Sequence, residues 1–175
     1  MQPIARTIVP CGHVTLGYAE LLLKDIAPDK FARQAQGQSG PVNSIHPAFA
    51  FGHLSIYPEK LMGMLGREPG DAKTPEGFAE VFNAGVDCKD DPEGTTYPPM
   101  QKVVDHFFKG HRVLLAALEE ASDDLLLQEN PMEGDMKTRF PTKGTMFAFT
   151  LSAHTMMHLG QVSFWRRCMG LGPVM

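Results

Sequence analysis

Cysteine is scarce in this chain: Cys11, Cys88 and Cys168 are its only three, they lie far apart, and none belongs to a C-x-x-C pair. An odd, scattered set excludes a disulfide framework and fits a reducing compartment. No uninterrupted apolar run approaches the roughly 18–20 residues that span a bilayer. The opening stretch "MQPIARTIVPCGHV" lacks the apolar core and small-residue cleavage site of a secretory signal. Basic residues are outnumbered, 16 against 20 acidic, for a net charge of −4, and they are scattered. That excludes a nucleic-acid surface and a polybasic membrane contact. Also missing are any internal repeat, any alternating pattern long enough to build a sheet, a phosphate-cradling glycine loop and a Ser-His-Asp order. The expectation is one cytoplasmic, all-α domain spanning residues 1–175.

What is present is helical periodicity, punctuated by glycine and proline. A first helix is expected from about Cys11 to Ile26, with Val14 and Leu21 on its apolar face. The polar stretch "ARQAQGQSGPVNS" follows as a loop. Ser44 is read as the N-cap of a second helix with Pro47 in its first turn, ending near Gly66. Pro58 inside it must kink or restart the helix, because its ring removes a backbone hydrogen bond. A third helix begins near Pro99 and carries the seam Met100, Val104, Phe107, His111, Leu114 and Leu118. The fourth runs from about Thr145 to Met169 and is stopped by Gly170, Gly172 and Pro173. Helices 2 and 3 are separated by the long segment from Arg67 to Pro98, with one short helix expected in "PEGFAEVFNAG". A long crossover permits the next helix to run parallel, so the expected arrangement is a four-helix bundle, up-down-down-up.

The chemistry lies in seven histidines. His154 and His158, in "LSAHTMMHLGQVSFWRRCMGLG", are one helical turn apart and project from one face, a spacing that suits two imidazoles on one transition metal. Leu151, Met157 and Trp165 surround the pair, so its helix is expected to be buried over a wide arc. Buried imidazoles without partners cost roughly 1–3 kcal/mol each, and an ion supplies a partner. A third ligand must sit at the same depth, about 15–20 Å from the start of helix 4. His53, counted back from the end of helix 2, is level with the pair, and so is His106 in a parallel helix 3. His46 falls at the helix mouth, His13 at the wrong end, and His111 in the core or at its rim. Depth alone leaves His53 and His106 unresolved.

The run from His154 and His158 to Gly160-Gln161, with "FGHLSIYPEKL" upstream, resembles the DinB/YfiT-like family of metal-binding bundles. That family shows a mid-helix-2 histidine, often in a "GHL" context, and an H-x-x-x-H-x-G-Q run in its last long helix. The resemblance implies His53, His154 and His158 as the ligands and the up-down-down-up order as the fold. Leu159 departs from the pattern, since relatives often carry a basic residue there. Low-molecular-weight-thiol transferases and isomerases among the relatives imply a thiol as one co-substrate.

Three imidazoles on a divalent ion leave positions open for water or substrate. Zinc and nickel both suit the donors. A coordinated water becomes acidic near neutral pH, and a thiol is held as thiolate. The expected function is a metal-dependent transferase or hydrolase acting on a small molecule. The alternatives are a non-catalytic helical interaction module with a structural or adventitious metal, and haem binding through His and Met. Tyr57, one turn beyond His53, and Gln161, nearly one turn beyond His158, are the pocket candidates. Trp165 and Phe49 would wall the pocket. Arg166 and Arg167 are read as solvent-exposed partners of the helix dipole. Methionines such as Met62 and Met64 exceed what one small core buries, which suggests a homodimer.

Overall fold

A computed structural model describes all 175 residues. The chain is mainly helical. In order it forms α1 (Pro3–Leu23), a short hairpin of β1 (Gln36–Gly37) and β2 (Gly40–Pro41), α2 (Pro47–Ser55), α3 (Tyr57–Met64), α4 (Phe78–Phe82), α5 (Met100–Glu119), α6 (Asp123–Leu126), α7 (Asp135–Arg139), α8 (Lys143–Ala148), a π-helical turn (Phe149–His154) and α9 (Thr155–Cys168). The all-α reading holds, with the hairpin as its one sheet. No helix is long and apolar enough to cross a membrane, and all three cysteines are free.

The first helix is longer than its periodicity suggests. It starts at Pro3, whose missing N–H costs nothing at the first helical position. It also passes through Pro10, whose ring lies on the exposed side. Asp25, at φ 61°, turns the chain away at the other end. The buried face is also different: Val14 and Leu21 are 68% and 45% exposed. The stripe that packs is Ala5, Ile8, Gly12, Leu16, Ala19 and Leu22, small residues alternating with large ones at helical spacing. Gly12 shows why small residues are needed, since a Cβ there would sit 2.5 Å from Leu115 of α5.

The second helix begins later than expected. Pro47 forces the residue before it into extended geometry. His46 therefore caps α2, accepting the Phe49 N–H at Nδ1, while its Nε2–H donates to the Lys89 carbonyl at 2.9 Å. Ser44 is not the cap; its hydroxyl is buried without a partner. Pro58 restarts the helix rather than kinking it, so that α2 ends at Ser55 and α3 opens at Tyr57. Met62 is buried at 5% exposure and Met64 is half-buried, so neither offers the exposed apolar surface read from composition.

Contacts between the long helices define their neighbours. Gly12 and Ile4 of α1 meet Leu115 and Asp123, at the end of α5 and the start of α6. Thr15 and Leu22 meet Leu151 and Arg166. Phe51, Pro58 and Arg67 meet Phe107, Gly110 and Glu120. The crossover from Arg67 to Pro98 is tied down by two adjacent carboxylates. Asp90 accepts from the Arg33 guanidinium, which holds its carboxyl below the usual range, and from the Gln34 N–H at 2.7 Å. Asp91 accepts the N–H groups of Thr95, Thr96 and Tyr97. The expected short helix is there as α4 and presents Phe78 and Phe82 to the core.

Arg166 overturns its expected role. It is 2% exposed and donates to the carbonyls of Leu22, Lys24 and Leu171, closing the end of α1 where backbone donors run out. Trp165 is core as well, its indole N–H donating to the Arg33 carbonyl at 2.7 Å.

His111 makes stability depend on pH. It is 2% exposed and donates Nδ1–H to the Phe107 carbonyl, and burial pushes its pKa down to about 4. Between pH 6.5 and about 4 the unfolded chain takes up a proton that the folded chain refuses, so stability falls as pH falls through this window. At about 1.4 kcal/mol per pKa unit the loss approaches roughly 3 kcal/mol. His111→Leu is expected to flatten this part of the acid arm in denaturant titrations from pH 7 to pH 4.

Candidate metal centre

His53, His154 and His158 are all buried, and one nitrogen from each lies within 4.8 Å of the others. Three elements supply them, the last two continuous with each other. His53 comes from α2, the other two from the π turn and the first turn of α9. The rings of His53 and His158 have centroids 4.8 Å apart, as do those of His154 and His158. A common ion at about 2.0–2.1 Å from each nitrogen brings such donors to roughly 3–3.5 Å of one another. Small ring rotations supply that contraction.

Hydrogen bonds outside the cluster choose which nitrogens face inward. His53 Nδ1–H donates to the Phe82 carbonyl at 2.8 Å, leaving Nε2 as the unprotonated nitrogen. His158 Nδ1–H donates to Gln161 Oε1, also at 2.8 Å, with the same result. His154 has no hydrogen-bond partner at all, and its Nδ1 is fully buried. An orphaned imidazole beside two oriented ones is what a bound cation would satisfy. Burial, with the neighbouring rings adding in the same direction, pushes His154 down to about 3 and His158 to about 4. Burial lowers His53 as well. All three rings are neutral at pH 7, the form that binds metal.

The helix carrying His154 is held in an unusual winding. Over Phe149–His154 the backbone widens to a π turn, a feature that often marks functional sites. Hydroxyls take up carbonyls in and around this turn. Thr15 of α1 donates to Leu151, Thr155 to Thr150, Thr150 to Met146 and Ser152 to Ala148. The helix itself opens on a capping box, Thr142 with Thr145.

The expected pocket residues divide. Tyr57 does belong to the site, its O–H donating to His53 Nε2 at 3.2 Å. Burial raises its pKa, so the phenol stays protonated at neutral pH. Gln161 belongs as the acceptor for His158. Phe49 stacks on His53 with centroids 6.2 Å apart and planes 4° from parallel. Trp165 is not a pocket wall, and Met157, 56% exposed, lies on the solvent side of α9. His106 is outside the cluster: it packs edge-on against Phe78, and its Nε2 has no partner. His13 is at the surface, 3.9 Å from Glu119.

Two contributors were not legible in residue types. The Phe82 carbonyl is backbone, and Thr15 is remote in sequence from both stretches that carry the ligands. Gly52 was the available signal for the first. A Cβ at Gly52 would lie 2.3 Å from the Phe82 ring, so only glycine lets α4 approach closely enough for its carbonyl to reach His53.

Gly52→Ala is therefore expected to displace Phe82 and weaken metal binding, and Gln161→Leu to weaken it by about 10–100-fold, as losing an orienting partner does. Competition titrations against a chromogenic chelator measure both, and unchanged affinity in Gln161→Leu would remove the assigned role. No protein-family model, curated protein or solved structure matches the chain, so the reading of this centre rests on its own geometry.

Proposed function

We propose that this chain is a DinB/YfiT-like four-helix bundle in up-down-down-up order whose His53, His154 and His158 hold a catalytic divalent ion, zinc or nickel. The observation that carries the reading is the orphaned, buried His154 beside two imidazoles whose Nδ1 atoms are already engaged. The bundle order is supported by the contacts. Those of α2–α3 with α5 rise together in sequence, whereas α1 with α5 run oppositely.

When bound, such an ion supplies a Lewis acid that acidifies a coordinated water or thiol. The chain's residues do the rest. Phe82 and Gln161 orient two rings, and Phe49 shields His53 from solvent. Tyr57, whose hydroxyl donates to His53 Nε2, would be released from that nitrogen by an ion held there and could then serve as a proton donor. Transfer of a low-molecular-weight thiol and hydrolysis both need this set of parts.

The test is metal content of protein purified without a nickel column, with His53→Ala and His106→Ala side by side. His53→Ala is expected to lose metal as severely as His154→Ala or His158→Ala, more than about 100-fold in affinity. His106→Ala is expected to retain it. Metal should raise the Tm of the parent protein and do so far less in His53→Ala, because the third ring pins α2 against α9. Metal loss in His106→Ala with retention in His53→Ala overturns the ligand set. Stoichiometric metal without turnover of thiol or hydrolysable substrates points to a structural ion.

A further inference from the structure

A cavity of about 530 Å³ opens beside the metal centre, with Tyr57 and His154 in its wall. This is the size of a small-molecule site. Apart from those two residues its lining is apolar, with a single exception, Lys60. Met64, Met132, Met136 and Met146 make up much of the surface. Methionine is unbranched and polarisable, so such a wall adapts to hydrocarbon of varied shape. Met132 precedes α7 and Met136 lies within it, so the segment between α6 and α8 closes the chamber.

Lys60 is the only full charge in this lining. Its ammonium lies 5.6 Å from the Tyr57 ring centroid and pairs with no carboxylate of the chain, unlike Lys30, Lys109 and Lys137. One cation at the solvent edge of an apolar chamber, with metal-ligating imidazole in its wall, complements a molecule with an apolar body and one anionic group.

We propose, on the reading that the three histidines hold a divalent ion, that the substrate is a small apolar carboxylic acid. Its body lies among the methionines, its carboxylate pairs with Lys60, and the group to be transformed lies toward His154. A charge-assisted pair at the edge of an apolar wall is stronger than one in open water.

The probes are octanoate and octan-1-ol, titrated calorimetrically into the zinc-loaded protein. Octanoate should bind about tenfold more tightly than the alcohol, the worth of one charge-assisted contact. Lys60→Met keeps the length and removes the charge. It should erase the preference and leave octanol affinity unchanged, whereas Lys60→Arg should retain the preference. Lys60 is exposed, so neither variant threatens the fold. If Lys60→Met keeps the preference and metal removal abolishes it, the carboxylate sits on the ion and the proposal is overturned while the metal centre stands. If neither probe binds, the chamber is not a ligand site. A Lys60-dependent preference that survives in His158→Ala supports the chamber independently, even where the metal reading fails its own test.

Discussion

Burying neutral imidazole is the constraint on which the rest of this structure depends. Each ring taken from water needs two hydrogen-bonding partners or one partner and a ligand, and an apolar interior offers few. His46 solves the problem locally by capping α2 and donating to Lys89. His111 solves half of it with the Phe107 carbonyl of its own helix. His53, His154 and His158 solve it only in part and only together. Their arrangement requires a crossover docked by Asp90 and Asp91, a glycine beside His53 and a widened turn beneath His154. The crossover and the glycine also seat Phe78 and Phe82 in the core, but the widened turn forgoes regular α-helical winding, a cost to the fold that a site explains.

Much of this was readable because helices write themselves as periods. The four long segments, the crossover and its short helix, and the level of His53 with the pair all followed from spacing and breakers. Where the reading failed, a physical competitor can be named. The first helix begins at Pro3 instead of near Cys11, because Pro10 lies on the exposed side, where water can satisfy the Arg6 carbonyl that its missing N–H leaves unpaired. Pro47 transfers the cap from Ser44 to His46 by dictating the backbone of the residue before it. Val14 and Leu21 matched an apolar stripe, yet the close approach of α5 demanded the small residues on the other face. Arg166 looked like an exposed end-of-helix cation, and only the fold shows the three carbonyls of α1 and the C-terminal segment that surround it.

The candidate site was legible in its histidines and opaque in its supports. An imidazole's identity is written in the sequence, whereas the acceptor that fixes its tautomer is often a backbone atom carrying no residue signature, as with the Phe82 carbonyl. His53 and His106 were equivalent by depth. Orientation about the helix axis separated them: the face of α5 that bears His106 turns toward Phe78 of α4, and His106 stands outside the cluster. Depth is one coordinate of a bundle and azimuth is another, and only the first can be counted along a chain.

The π turn couples those two coordinates. A π turn amounts to one surplus residue wound into an α-helix, and each residue of an α-helix advances the azimuth by about 100°. The segment after it is anchored by Trp165 and Arg166, and the segment before it by the capping box at Thr142. The surplus residue therefore sets the phase between two halves of one rod: the half bearing the imidazoles and the half bearing Met146 and Phe149, which line the cavity. A chain shorter by one residue here could keep every ligand and every wall residue and still turn them to different sides. In this protein the histidine cluster and the cavity face each other through a single unit of helical register, and a deletion would part them before it undid the fold.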